Sequence, residues 1–265
     1  MTNASENSKR IAKNTLLLYV RMLFMMAVSL YTSRVVLNTL GVEDFGIYNV
    51  VGGVVAMFGF LNGAMASSTQ RYLTFELGRG DMVQLKKVFT TSIYIHGLIS
   101  LIIIVITESI GLWFLYNKMI IPPERMTAAF WVFQMSILTA VIMIMSVPYN
   151  AAIISHEKMG AFAYISVLEA LLKLSVVYLL MIGHIDKLIL YSILICLVQL
   201  LIRFIYGRYC KRHFKECSLI RVWDCLLFKE MISFAGWNMV GNLGSADIVR
   251  GSSPLPCQPK IIVHL

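Results

Sequence analysis

The feature that most constrains this chain is a succession of long apolar runs, each close to the length of a membrane crossing. Six runs recur between residues 11 and 210, and a seventh begins near residue 231. A helix needs about 20 apolar residues to cross a bilayer core of about 30 Å. Of the 265 residues, 58% are hydrophobic and 14% are charged, too few charges to cover a soluble globule. The sequence therefore predicts an all-α integral membrane protein.

Turn signals and charges between the runs predict the domain organisation. We expect a cytoplasmic N-terminus at 1–10, a lobe of six transmembrane helices at 11–210, and a basic, partly amphipathic loop at 211–230. A seventh helix then starts at 231–245 and is cut short, because the tail at 246–265 contains three closely spaced prolines. The six helices are expected at 11–40, 45–72, 88–116, 126–154, 160–182 and 188–209. The first run is too long for a signal peptide and lacks a cleavage site, so it is expected to be retained.

The basic residues alternate between the two sides of these helices. With the N-terminus inside, 14 Lys and Arg residues fall in cytoplasmic segments, and three fall in outer loops, namely Lys118, Arg125 and Lys187. Cytoplasmic loops of membrane proteins carry the excess of Lys and Arg. The stretch 37–89 shows the pattern by itself, with Glu43 and Asp44 before one apolar run and a basic loop after it. We therefore expect a multi-pass protein with a cytoplasmic N-terminus.

Four basic residues lie within the predicted helices and are the candidates for a substrate cavity: Arg21, Arg34, Lys173 and Arg203. A basic side chain at the centre of a membrane helix costs about 2.5–3.5 kcal/mol and usually faces a bundle interior. Arg34 and Arg203 are near enough to helix ends to snorkel instead. Lys173 follows Glu169 by four residues, which favours an ion pair or a role in ion coupling. Arg21 is deeper in its run and has no acidic neighbour in sequence, so it is the strongest candidate.

Small residues recur every fourth position along the second run. Gly52 and Ala56 form one such pair, and Gly59, Gly63 and Ser67 continue the pattern. Small residues at this spacing allow a neighbouring helix to approach closely, which favours a helix-packing face. The alternative is a face that lines a substrate path.

Several other classes of function find little support in the sequence. There is no P-loop and no nucleophile motif, so we expect neither an enzyme nor a bound cofactor. The net charge of +9 follows from membrane topology, and no nucleic-acid motif accompanies it. The five cysteines form no CxxC pair. A metal set would have to combine Cys210, His213, Cys217 and Cys225, whose spacing fits no common zinc pattern, so we expect no metal.

Three segments resemble a known transporter family. They are the runs from Ser33 to Asn49, from Ser67 to Gly78 and from Ser146 to Lys158. These runs resemble the polysaccharide flippases, which carry O-antigen or capsule oligosaccharide on a lipid and belong to the multidrug/oligosaccharidyl-lipid/polysaccharide exporter superfamily. The resemblance covers about residues 8–245 and corresponds to the N-terminal half of such a protein.

This resemblance implies both an architecture and a function. It implies a two-lobed exporter fold of which the chain forms one six-helix lobe. The implied function is flipping of undecaprenyl-pyrophosphate-linked oligosaccharide across the bacterial cytoplasmic (inner) membrane, for polysaccharide or lipopolysaccharide synthesis. The implied partners are the lipid bilayer, this lipid-linked substrate and other polysaccharide-assembly proteins. Arg21 resembles, by its position in the first helix, a cavity arginine of related lipid flippases.

The resemblance ends after about Ser245, where the apolar pattern stops within a helix. We therefore expect a truncated chain, from a frameshift or an interrupted gene. Two other functions stay open. One is a cation-coupled multidrug or metabolite exporter of the same superfamily, for which Glu169 and Glu108 are the available acids. The other is a non-transporting remnant or a half-transporter subunit.

Overall fold

The structure, a computed structural model, describes residues 2–57, 59–182, 186–218 and 224–251, and all regular secondary structure in these ranges is helical. A 3₁₀ turn (Pro123–Arg125) precedes the fourth helix. The helices are α1 (Thr2–Ala56), α2 (Gly59–Arg79), α3 (Met82–Asn117), α4 (Met126–Ser155), α5 (Met159–Ile182), α6 (Lys187–His213) and α7 (Cys225–Gly251).

Five helical stretches of the described residues are long and apolar enough to cross a membrane. The chain is therefore a multi-pass integral membrane protein, as the apolar runs predicted. The five stretches do not reproduce the predicted count of six. The first one, Thr15–Ala56, joins the first two predicted runs across Gly41, and α2 is too polar along its length to qualify.

Gly41 divides α1 into two arms. Its φ of 83° and ψ of 168° are not helical, and glycine adopts a positive φ without the steric cost that other residues meet. We call residues 2–40 the first arm and residues 42–56 the second arm. The first arm begins at Thr2, so the predicted N-terminal segment 1–10 is helical from its second residue onward.

The second predicted helix, 45–72, is interrupted and longer than expected. Helical structure ends at Ala56 and resumes at Gly59, close to three glycines of low helix propensity. It then continues to Arg79, so the predicted loop at 78–87 shrinks to a tight turn. Gly80 takes a φ of 73° there, and Asp81 caps α3 by accepting hydrogen bonds from the N–H groups of Val83 and Gln84, both at 3.0 Å.

The last helix also differs from the prediction. The structure has α7 from Cys225 to Gly251, which begins inside the predicted loop 211–230 and ends beyond the predicted stop at residue 245. The six extra residues 246–251 contain no proline, so nothing in their backbone opposes a helix. The prolines of the tail fall within 252–265, which lie outside the described residues.

The bundle is organised around α4, which packs against α1, α2, α3, α5 and α6. Its strongest partner is α6, while the first arm of α1 lies chiefly along α5, and α7 lies against α2 and α3. The buried side chains include Phe89, Phe133, Ile153 and Leu180. Large apolar side chains also cover the outside of α3 and α6, as expected for surfaces that face lipid.

Contacts between loops define two ends of the bundle. At one end, Arg125 reaches Asp44 and Asp186, which joins the Gly41 bend to the start of α4 and the start of α6. We call this the Gly41 end. At the other end, His156 after α4 hydrogen-bonds Glu216 after α6, and the ring of Phe214 stacks on His156. This second end also receives the turn between α2 and α3, and we call it the Gly80 end.

Candidate functional site

Arg21 lies between the first arm of α1 and α5. Its guanidinium sits 4.3 Å from the centre of the Phe162 ring, a cation–π contact. Its Nε is buried and has no hydrogen-bond partner. No ion pair of Arg21 occurs among the described residues. Burial of a donor without a partner costs free energy, so this group retains unused capacity to bind an anion.

Arg203 of α6 has a similar environment on α4. Its guanidinium lies 3.9 Å from the centre of the Tyr149 ring. Gly207, one turn further along α6, leaves space for this side chain, because a Cβ built there would be 3.2 Å from Nη1 of Arg203. In the part of the chain that the structure describes, Arg203 forms no ion pair. Its positive charge therefore makes a cation–π contact with an aromatic ring and is not neutralised by an acid in the described structure.

Glu169 of α5 joins α5 to α6. It accepts a hydrogen bond from Lys173 Nζ at 2.6 Å and another from Gln199 Nε2 at 2.9 Å. Tyr206 of α6 is buried, and its hydroxyl interacts electrostatically with both Glu169 and Arg21. These contacts form a continuous polar region along α1, α5 and α6, and we call it the cationic region.

Three basic groups and one acid make up the charge of the cationic region, namely Arg21, Lys173, Arg203 and Glu169. Glu169 neutralises Lys173 at close range, which leaves a surplus of two arginine charges. Three of the four basic residues predicted for a cavity thus lie in one region of the bundle. Arg34 does not join them: it is exposed and lies about 20 Å further along α1 than Arg21.

Both arginines lie towards the Gly80 end of the bundle. The sequence, in contrast, predicted that Arg21 would lie deep within its helix. Phe162 is three residues from the start of α5, about 5 Å along its axis. Tyr149 is six residues from the end of α4, about 9 Å along its axis. Both guanidinium groups therefore lie in the half of the bundle near the Gly80 end.

A separate cavity of about 390 Å³ opens among α1, α2, α4 and α6. Its wall is mostly apolar but includes small residues and neutral polar side chains, and the lining that the structure describes contains no acidic or basic residue. We call it the neutral cavity. The polar side chains of its wall are Tyr48, Asn49, Asn62, Ser136, Thr139 and Ser192.

The small residues predicted to pack helices either line the neutral cavity or are exposed in the structure. A Cβ at Gly52 would lie 3.7 Å from Ser136 Oγ, an ordinary contact distance, and Cβ atoms at Gly59 and Gly63 would meet no described atom within 4 Å. Gly52, Ala56 and Gly59 line the neutral cavity. Ser67 is exposed on α2. The packing role of this face stays a prediction, and three of its members border the neutral cavity.

Aromatic partners of the arginines are the residues that sequence analysis missed. Tyr149 and Phe162 lie on other helices than the arginines they contact, so no spacing in the sequence links them. Gln199 and Tyr206 share a helical face with Arg203, and that spacing is visible in the sequence. Clusters of three or more His, Cys, Asp or Glu placed to hold a metal ion are absent from the described residues.

The fold of the chain is similar to one half of a solved transporter structure. The structure is similar to a solved one described as the outward-facing conformation of a multidrug resistance MATE family transporter of the MOP superfamily, with a TM-score of 0.70 and 14% sequence identity. The match covers 91% of this chain and 54% of that chain, so this chain spans about half the length of the transporter it matches. No protein-family model matches the sequence. No curated protein matches it either.

Proposed function

We propose that the chain forms one lobe of a flippase that moves undecaprenyl-pyrophosphate-linked oligosaccharide across the bacterial cytoplasmic membrane. The observation that carries this proposal is the cationic region. Its two arginines have no acidic partner in the described structure, and Nε of Arg21 is buried without a hydrogen bond. A pyrophosphate offers several anionic oxygens at one place, and guanidinium groups bind such oxygens by charge-assisted hydrogen bonds.

Topology supports the proposal. The chain runs back and forth between the Gly80 end and the Gly41 end in six successive segments. These segments are the first arm of α1, the second arm together with α2, and then α3, α4, α5 and α6. We infer six crossings from this alternation, with α7 starting a seventh. The Gly80 end carries most of the basic loop residues and is the cytoplasmic side in this proposal. A carrier lipid that enters from the cytoplasm would meet Arg21 and Arg203 soon after entry.

The length of the matched transporter bears on how the lobe works. The matched transporter is about twice as long as this chain. In this proposal the lobe functions together with a second lobe. The face along the first arm of α1 is largely exposed and includes Arg21 close to the contact with α5. A cavity enclosed by two lobes would be bounded by this face.

Flipping of a labelled lipid-linked oligosaccharide in proteoliposomes tests the proposal. Vesicles are prepared with the chain alone and with the chain plus a candidate second lobe from the same genome. We expect ATP-independent flipping in at least one preparation and a loss of at least about tenfold in Arg21→Ala, because each charge-assisted hydrogen bond contributes about 1.5–3 kcal/mol.

Arg34→Ala is the matched control, since it removes the same charge from the same helix at an exposed position outside the cationic region. It should flip at the wild-type rate. Equal flipping by wild type and Arg21→Ala would refute the role of the cationic region. Absence of flipping in every preparation would favour the non-transporting remnant.

A cation-coupled exporter is the second candidate, and Glu169 is the observation that favours it. Glu169 is an acid within a helix, only partly exposed, and bonded to both Lys173 and Gln199. A carboxylate in such a setting within a membrane is a frequent site of proton or ion coupling. Substitution of Glu169 separates the two candidates, as described below.

A further inference from the structure

We propose that the neutral cavity binds the sugar portion of the lipid-linked substrate, as a site distinct from the cationic region. This inference rests on the proposed flippase function and adds a second binding site to it. Its mostly apolar wall carries amide and hydroxyl groups, it lacks charged groups in its described lining, and it lies nearer the Gly41 end than the two arginines do.

Two side chains of the cavity wall have polar atoms that the fold does not use. Asn62 on α2 and Ser136 on α4 are partly buried, and neither makes a hydrogen bond to another described residue. Together they offer amide and hydroxyl donors and acceptors to a bound molecule. Both side chains border the cavity, so a ligand bound there can satisfy their polar groups.

Other polar groups of the wall have their donors occupied by the protein. Thr139 donates its hydroxyl to the carbonyl of Met135 at 2.7 Å, and Ser192 donates to the carbonyl of Ile189 at 2.8 Å. Their oxygen lone pairs remain free to accept. A ligand rich in hydroxyl groups supplies the matching donors and also accepts from Asn62. Neutral sugars have this chemistry, whereas a cationic drug would find no acid in the described wall.

The position of the cavity fits a substrate that carries sugar and phosphate some distance apart. Ser136 and Tyr149 both lie on α4, 13 residues apart, which corresponds to about 20 Å along the helix. Arg203 lies over Tyr149, so the cavity wall on α4, from Met135 to Ile144, extends from about 8 to about 21 Å away from the anion site along the helix. One sugar ring next to the anion site is too short to reach Ser136. The geometry therefore favours an oligosaccharide over a single sugar.

The size of the cavity is compatible with this assignment. Small-molecule sites commonly have volumes of about 300–1,000 Å³, and the neutral cavity measures about 390 Å³. Gly52 and Gly59 lack side chains on its wall, and Gly59 has no described atom within 4 Å of an added Cβ. A bulky residue at either position would fill space that the proposal gives to a sugar ring.

A comparison of two lipids tests the assignment. Affinity is measured for the purified full chain in detergent with undecaprenyl pyrophosphate and with the same lipid bearing a neutral trisaccharide. We expect the trisaccharide form to bind at least about tenfold more tightly. The double variant Asn62→Leu, Ser136→Ala should remove most of this difference, since each hydrogen bond accounts for about two- to tenfold in affinity. It should leave affinity for the sugar-free lipid within about twofold.

Asn117→Leu is the matched control, because it makes the same replacement at an exposed asparagine away from the cavity. A second measurement guards against misfolding of the double variant. In Ser136→Cys, which changes one atom, reaction of the new thiol with a maleimide should slow in the presence of the trisaccharide lipid and not with the sugar-free lipid, with Cys225 as an exposed internal reference.

The outcomes separate this inference from the function on which it rests. Equal affinity of the wild type for both lipids, or an unchanged preference in the double variant, would overturn the sugar assignment and leave the flippase proposal standing. If neither lipid bound more tightly than uncharged undecaprenol, the flippase proposal would fail, and the sugar assignment would fail with it.

Discussion

Two groups of charges in this bundle are built in opposite ways. At the Gly41 end, one cation, Arg125, is shared by two acids, Asp44 at 3.0 Å and Asp186 at 2.6 Å. In the cationic region, Arg21 and Arg203 have aromatic rings beneath them and no acid within bonding distance among the described residues. The first group ties three turns together. The second has positive charge that the fold does not neutralise.

The difference teaches which charges serve the fold and which are available to a ligand. Asp44 is buried, so its carboxylate needs Arg125 as a partner. Arg21 and Arg203 are retained although the bundle provides no counter-ion, at a cost that membrane helices normally avoid. Loss of a shared cation should therefore affect stability, and loss of an unneutralised cation should affect binding.

The largest effect is expected from removal of both unneutralised cations. The double variant Arg21→Ala, Arg203→Ala should lower the affinity for undecaprenyl pyrophosphate by about 100-fold or more, because two charge-assisted contacts of about 1.5–3 kcal/mol each are lost. The affinity is measured by native mass spectrometry or by quenching of intrinsic fluorescence. Arg34→Ala should stay within about twofold of wild type. A loss shared equally by Arg34→Ala would mean that net charge alone determines binding.

The next effect concerns the shared cation. Arg125→Ala should lower the free energy of unfolding by about 2–3 kcal/mol, since it leaves the buried carboxylate of Asp44 unpaired. Denaturant unfolding in detergent provides the measurement. Lys118→Ala removes an exposed charge from the same end and serves as its control. A loss below about 0.5 kcal/mol for Arg125→Ala would show that the network does not hold the three turns together.

A smaller effect is expected at the one acid of the cationic region. Glu169→Gln keeps a hydrogen-bond acceptor for Lys173 and removes one negative charge. In a flippase for an anionic lipid, affinity for undecaprenyl pyrophosphate should rise by up to about fivefold, and flipping should continue. In a cation-coupled exporter the same change should abolish ion-dependent transport. Loss of flipping in Glu169→Gln would therefore favour the second candidate.

The smallest effect should come from a charge that belongs to neither group. Hydrogen bonds from the backbone, led by the N–H of Gln84, lower the pKa of Asp81 below its ordinary value of 3.8. The ionised cap is therefore favoured in the folded state. Its contribution to stability is complete well above pH 3.8 and is lost as the pH falls through the lower folded pKa.

Asp81→Asn tests this, because asparagine still caps a helix but does not titrate in that range. Thermal unfolding of wild type and Asp81→Asn at neutral and acidic pH gives the comparison. The advantage of the wild type should shrink as the pH falls below 3.8. A constant difference at all pH values would mean that the charge of Asp81 does not contribute.

The comparison between the two groups also shows what the sequence reveals. The apolar runs predict an all-α membrane protein, which the structure confirms, and helices α4, α5 and α6 begin within a residue of their predicted starts. The first helix was predicted to end at residue 40, and the bend of α1 is at the next residue, Gly41. The break near Met57 was not predicted, since it depends on several weak helix formers acting together and not on a strong stop signal.

The candidate site was predictable only where its contacts follow helical spacing. Glu169 and Lys173 lie four residues apart and meet on one helix. The rings beneath Arg21 and Arg203, and the sharing of Arg125 between Asp44 and Asp186, depend on how distant helices pack. The neutral cavity has the same origin, because its wall is contributed by four helices. Such contacts follow from tertiary structure and leave no periodic signal in the sequence.

Thermal unfolding with and without undecaprenyl pyrophosphate tests the central claim most directly. A ligand that binds only the folded protein raises its stability. The gain grows with the logarithm of one plus the ratio of ligand concentration to dissociation constant. Wild type and Arg125→Ala should both be stabilised by the lipid, although Arg125→Ala starts from a lower unfolding temperature. The double variant Arg21→Ala, Arg203→Ala should unfold near the wild-type temperature without lipid and gain almost nothing from it. Equal stabilisation of that double variant and the wild type would contradict the account.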